Sequence, residues 1–195
     1  MLCLDKSLIG LLGSSFFIGL FISLFFLPQL ADKIGRRKVF FVTMVLTLFW
    51  QLVITFSSSF YLTMAAIFFC GMLWPGKNIV GLSYAEEFLD KKYSNDLLAS
   101  VFVGGSGIMF FVPVIYLTIS KSWVLQSWLG IGLTLLCLGI IPWYLPESPK
   151  YYYEKRMFDE ARASLKVVAR RNGVVLKEEI KFDYEDPNLK EDTDS

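Results

Sequence analysis

Charged and apolar positions are segregated along this chain. Residues 7–31, 39–76, 97–120 and 122–146 contain no Asp, Glu, Lys or Arg. An α-helix rises ~1.5 Å per residue and the bilayer hydrocarbon is ~30 Å thick, so about 20 apolar residues cross it. Three of the windows each hold one span. The window 39–76 is too long for one, and Ser57, Ser58 and Ser59 interrupt it near its middle, which predicts two helices joined by a short turn. The pattern therefore predicts five membrane-spanning helices, at about 7–31, 39–56, 60–86, 97–119 and 123–145. The expected fold class is all-α, an integral membrane helix bundle.

Beyond the last span, Pro146 and Pro149 end the membrane helix sharply. Phe158, Ala161, Leu165 and Val168 then recur at helical spacing. Asp159 and Glu160 open this segment and Arg170 and Arg171 close it, the order a helix dipole favours, and Asn172-Gly173 is a stop signal. The expected organisation is a five-helix transmembrane region over 1–149, a cytoplasmic amphipathic helix over 150–173, and a polar flexible tail over 174–195. Within the spans, Gly10, Gly13, Ser14, Ser15 and Gly19 offer a surface that another helix can approach closely. Gly104, Gly105, Gly107 and Pro113 predict a locally kinked or loosely wound fourth span. These glycines do not read as a phosphate loop, because no Lys-Ser or Lys-Thr follows them.

Charge sets the orientation. Lys33, Arg36, Arg37 and Lys38 lie between the first two spans, Lys91 and Lys92 between the third and fourth, and Lys150, Lys155, Arg156, Arg162, Lys166, Arg170 and Arg171 after the last. Lys6 and Lys121 fall on the other side. Positive loops stay in the cytoplasm, so the first and third loops and the C-terminal segment are expected there, with the N-terminus outside.

Composition narrows the classes further. Of 195 residues, 54% are hydrophobic and 18 are Phe, more apolar than a soluble domain of this length. The first apolar run is too long for a signal peptide, and no small-residue cleavage site follows it. A net charge of +1 gives no electrostatic preference for nucleic acid. Cys3, Cys70 and Cys137 are widely spaced and read as packing residues, not a disulfide or metal set. The chain has no His, which removes the commonest metal ligand and near-neutral proton shuttle. No nucleophile–base pair, metal cluster or cofactor loop stands out, so no enzyme activity and no cofactor are expected.

Three signatures recur in order. Asp32-Lys33-Ile34-Gly35-Arg36-Arg37 comes first. Two helices later, Gly81 precedes Glu86-Glu87-Phe88 and the basic pair Lys91-Lys92. After two more helices comes Pro146-Glu147-Ser148-Pro149-Lys150, followed by Lys155-Arg156-Met157-Phe158-Asp159-Glu160-Ala161. Together these resemble helices two to six of a major facilitator superfamily transporter and the start of its central cytoplasmic loop. Ala169-Arg170-Arg171-Asn172-Gly173 is similar to the organic cation transporter-like branch, and the Pro-Glu-Ser-Pro element is shared with sugar transporter-like members. The family usually carries Gly four residues before the hairpin Asp, where this chain has Pro28. Lys150 stands where the family usually has Arg, and Lys cannot make the two-pronged bond to a carboxylate.

The resemblance implies a transmembrane solute transporter. It would move a small organic ion or sugar by alternating access, as facilitative or secondary transport. Helix one, the large outer loop and the second half would then lie outside this sequence, and the chain alone is not expected to transport. The alternative is a non-transporting structural membrane subunit of a larger complex, derived from a half-transporter. The resemblance also implies a gating network, a cytoplasmic latch of Asp32, Gly35, Arg36, Arg37, Glu87, Glu147 and Lys150. Gln51, Trp74, Lys77 and Asn78 are candidates for a substrate pathway, with Trp50 and Tyr116 as further aromatics. Lys77 is the one basic residue well inside a predicted span, where it either faces a cavity or snorkels to the interface. No Asp or Glu lies deep in a span, which leans the reading towards facilitated transport. Expected partners are the lipid bilayer, a small-molecule substrate, and either a missing transporter half or neighbouring membrane subunits, but no nucleic acid. The expected location is an integral, multi-pass membrane protein.

Overall fold

The computed structural model describes residues 6–89, 91–118, 122–144, 146–173 and 182. The polar tail lies outside the described residues except for Phe182, as do Cys3 and Lys121. Among the described residues, eight α-helices follow in order: α1 (Lys6–Leu24), α2 (Leu27–Ile34), α3 (Arg36–Phe56), α4 (Phe60–Glu86), α5 (Ser94–Thr118), α6 (Trp123–Tyr144), α7 (Pro149–Glu154) and α8 (Phe158–Arg171). Five of them, α1, α3, α4, α5 and α6, are long and apolar enough to cross a membrane. The chain forms two compact units, Met1–Leu145 and Pro146–Ser195.

The first predicted span is two helices, not one. Pro28 has no N–H to donate to the carbonyl one turn back, and its ring crowds that turn. The helix therefore ends at Leu24, turns through Phe25 and Phe26, and restarts at Leu27 with Pro28 in the first turn, where the missing N–H costs nothing. At the break, the Phe26 N–H donates to the Ser23 carbonyl at 3.2 Å, three residues back instead of four. The basic hairpin is shorter than its charges suggested. Gly35 alone separates α2 from α3, and Arg36, Arg37 and Lys38 form the first turn of α3. The fourth span stays α-helical from Ser94 to Thr118 with Pro113 inside it.

The first unit is held by close helix crossings. A Cβ at Gly19 of α1 would collide with the Phe68 carbonyl, and one at Gly71 of α4 with the Phe16 carbonyl. The two glycines are thus reciprocal, each letting α1 and α4 meet backbone to backbone. Between α3 and α4, Gly76 accommodates the Thr43 side chain and Gly81 the Phe40 ring. Higher up, Trp50 stacks on Phe69 with ring centroids 4.4 Å apart. The α3–α6 seam is partly polar: Thr55 and Ser127 share a hydroxyl hydrogen bond, and Gly130 faces the Gln51 amide. A small core of Leu27, Ala31, Val39 and Val80 joins α2, α3 and α4. By contrast α5 buries none of its described residues, and Gly104, Gly105 and Gly107 face open space.

In the second unit, Ser148 caps α7, its hydroxyl accepting from the Tyr151 N–H at 3.2 Å. The α7 terminus closes through two bonds, Arg156 N–H to the Tyr153 carbonyl and Met157 N–H to the Tyr152 carbonyl, with Arg156 at φ 59°. Phe182 packs on Phe158 and Tyr153, and the Arg162 guanidinium lies 5.6 Å from its ring centre.

Candidate functional site

The charge cluster is built around one glycine. Gly35 sits at φ 115° and ψ 138°, a conformation a side chain would strain, and it is buried. That turn leaves Asp32 and Arg36 four residues apart across the helix junction, with Arg36 Nη2 3.2 Å from Asp32 Oδ1. The Arg36 guanidinium also meets the Glu87 carboxylate at the end of α4. Arg36 is therefore shared between two acids, on α2 and at the end of α4. The two pairs differ in enclosure: the Asp32 side chain is 59% exposed, but that of Glu87 only 6%. An exposed ion pair contributes ~0–1 kcal/mol, whereas removing one partner of a buried pair costs ~3–5 kcal/mol. Arg36 and Glu87 are the energetic centre of the cluster. A cation in the first turn of a helix opposes its dipole, and the two carboxylates offset that.

Beside the cluster lies a cleft of about 150 Å³, lined by Pro28, Ala31, Asp32, Arg36, Ile79, Val80 and Ser83. Ser83 lies outside the three sequence signatures. Its position one helical turn before Glu87 is the signal that finds it, because residues four apart share a face. The neighbouring acid, Glu86, points elsewhere and accepts a 3.4 Å hydrogen bond from the Ser94 hydroxyl. The tandem acids thus divide between α3 and the start of α5. Arg37 is half-buried in the first turn of α3.

In the second unit, Glu147 is 6% exposed. Its carboxylate accepts from the Ser148 N–H at 3.4 Å, and its main-chain carbonyl accepts from the Ser164 hydroxyl of α8 at 2.7 Å. Lys150 is exposed and lies 3.9 Å from Glu154, one turn along α7.

The pathway candidates separate into two groups. Trp74, Lys77 and Asn78 share one turn of α4, and the Asn78 side-chain N–H donates to the Trp74 carbonyl at 3.2 Å. Lys77 is half-buried, within electrostatic reach of the Cys70 and Cys137 thiols. A lysine at such a depth costs ~2.5–3.5 kcal/mol to insert. Gln51 is held apart from this turn, against Gly130 of α6. Trp50 is committed to its stack on Phe69, while Tyr116 of α5 is exposed. Among the described residues, no three of His, Cys, Asp and Glu gather where a metal ion could sit.

The sequence pattern of the Major Facilitator Superfamily matches residues 2–180. The chain belongs to the major facilitator superfamily. Within the superfamily it resembles the organic cation transporter-like branch. It is 27% identical over 180 residues to Solute carrier family 22 member 4 of Mus musculus, covering 90% of this chain and 32% of that protein. It is 26% identical over 182 residues to Organic cation/carnitine transporter 2 of Homo sapiens, covering 90% and 31%. It is 28% identical over 183 residues to Solute carrier family 22 member 7 of Mus musculus, covering 92% and 33%. The chain spans about a third of the length of these curated relatives. As a superfamily member with five long apolar helices, it is an integral, multi-pass membrane protein in contact with the lipid bilayer.

Proposed function

We propose that this chain works within a membrane transporter that moves a small organic ion or sugar by alternating access. The observation that carries the reading is Arg36 held between Asp32 and Glu87, where the ends of α2 and α4 meet the start of α3. Charges held at a low-dielectric boundary form a latch that can be made in one state and broken in another. Breaking it exchanges protein partners for water, so the equilibrium between states is set by small differences. The proposed latch adds Gly35, Arg37, Glu147 and Lys150 to that trio, on the cytoplasmic side, and closes it when the transporter faces outward. Trp74, Lys77 and Asn78 lie along the proposed pathway, with Gln51 further along the bundle. The lack of an Asp or Glu deep in any span favours facilitated over proton-coupled movement. Gly104, Gly105 and Gly107 on α5 are open and small enough for close helix approach, which supports a further membrane segment packing there, either the other half of the transporter or a neighbouring subunit.

The test is solute uptake into membrane vesicles from cells expressing the complete gene, with organic cations, zwitterions, organic anions and hexoses as probes. Arg36→Gln and Glu87→Gln are each expected to lower uptake about tenfold, the change produced by ~1.4 kcal/mol of bias between two states. The exchange Arg36→Glu with Glu87→Arg is expected to restore part of it. Uptake unchanged by both single substitutions would overturn the latch. Uptake of none of the probes by the unaltered protein would favour the structural-subunit alternative.

A further inference from the structure

The transporter reading leaves the sign of the solute open, and the charge inventory of the first unit bears on it. Lys77 lies nine residues before Glu86, or ~13 Å inside α4, further than its four-carbon stem spans. Among the described residues, no acid forms an ion pair with it and no hydrogen bond holds its ammonium group. The described acids of this unit all sit at one end of the bundle. Asp32 and Glu87 face Arg36, Glu86 accepts from Ser94, and Asp96 occupies the first turn of α5. Within electrostatic reach of Lys77 are the thiols of Cys70 on its own helix and Cys137 on α6, and Trp74 and Asn78 lie three residues before and one after it on α4; none of these is a fixed negative charge.

A charged side chain at this depth persists where it is paired or faces water. Trp74 is 39% exposed and Asn78 is exposed, so the turn that carries Lys77 has an open side. We infer that the solute itself supplies the missing negative charge: Lys77 is a specificity-determining residue that selects an organic anion, with Trp74, three residues before it on the same face of α4, offering an indole for an aromatic or apolar body. This rests on the transporter reading above. An ammonium group at this position repels an organic cation, and in a water-poor site that repulsion is weakly screened. A carboxylate or sulfonate is instead drawn to it. Asn78 adds an amide carbonyl and N–H on the same turn, suited to orienting a polar substituent.

The experiment is uptake of radiolabelled benzoate, tetraethylammonium and glycine betaine into vesicles from cells expressing the complete gene. Benzoate is expected to be taken up in preference to tetraethylammonium. Lys77→Gln is expected to lower benzoate uptake roughly tenfold or more, because losing one member of a desolvated charge pair costs at least a decade. Lys77→Arg is expected to retain it, which separates a charge role from a packing role. Lys77→Gln removes a charge from the membrane, so it should insert at least as well as the unaltered protein, and surface labelling checks this. Lys77→Glu is expected to shift preference towards tetraethylammonium. Benzoate uptake unaffected by Lys77→Gln, or tetraethylammonium preferred by the unaltered protein, would overturn this inference while leaving the transporter reading standing. Uptake of no solute from any of the probed classes would overturn both.

Discussion

Two spans of similar make-up meet opposite fates. α4 has 27 residues with Pro75, Gly71, Gly76 and Gly81; α5 has 25 residues with Pro113, Gly104, Gly105 and Gly107. In α4 each of the three glycines is matched by a neighbour: a backbone carbonyl of α1, the Thr43 side chain, or the Phe40 ring. In α5 none of the three has a neighbouring atom where a Cβ would be. The same residue type therefore does two different things. In water an uncovered apolar helix would be driven to find a partner, but lipid removes that pressure. A span can remain uncovered until close packing with another segment draws it in.

The largest expected effect tests that contrast directly. Gly71→Leu drives a side chain into the Phe16 carbonyl, which is backbone and cannot swing aside. Overpacking of this kind costs ~1–3 kcal/mol and more where nothing yields. We expect a clear drop in thermal unfolding midpoint for the purified protein in detergent. Gly105→Leu meets no neighbouring atom, so no loss is expected there, and a gain of up to ~1 kcal/mol follows from the better helix propensity of Leu. An equal loss at Gly105 would show that the α5 face is occupied in the isolated protein, and would break the comparison.

The contrast extends to charge. Arg36→Ala leaves the Glu87 carboxylate enclosed and without its partner, so a loss of roughly 3 kcal/mol is expected. Lys150→Ala removes an exposed partner 3.9 Å from Glu154 and is expected to cost under ~0.5 kcal/mol. Denaturation of the two variants beside the unaltered protein checks this. A small effect at Arg36 would mean that water reaches Glu87.

Some of this was legible in the sequence. The bounds of α4 follow from Ser57, Ser58 and Ser59 on one side and the first acids on the other, because charge and apolar runs alternate at bilayer length. The break at Phe25 and Phe26 is hidden in the hydropathy pattern, although Pro28 causes it; the apolar run continues across the break, and apolarity says nothing about backbone donors. Of Glu86 and Glu87, adjacent residues on a helix end point ~100° apart, so spacing alone does not say which meets Arg36. The partition follows from where the starts of α3 and α5 lie, which is tertiary information. The positions of the charges were thus readable, but the sharing of Arg36 was not. The glycines of α1 show the same limit: Gly19 meets α4, while Gly10 and Gly13 have no neighbour within 4 Å.

The smallest expected effect sharpens the comparison within a single helix. Gly130 and Gly132 lie two residues apart on α6, so they face nearly opposite sides. A Cβ at Gly132 would meet nothing within 4 Å, whereas one at Gly130 would meet the Gln51 amide nitrogen of α3. That nitrogen is the far end of a flexible side chain and can rotate away, unlike the carbonyl opposite Gly71. Two terms then oppose each other at Gly130. Displacing the amide costs part of an interhelical contact, while Gly→Ala lowers the entropy of the unfolded chain and favours helix by ~0.4–1 kcal/mol. At Gly132 only the second term acts. Gly132→Ala is therefore expected to stabilise slightly, and Gly130→Ala to fall below it by less than ~1 kcal/mol. Unfolding midpoints of the two variants, measured side by side, give the difference. Equal midpoints would mean that the Gln51 contact contributes nothing to the α3–α6 seam, leaving the Thr55–Ser127 hydrogen bond and the Phe56–Trp128 ring contact to hold it.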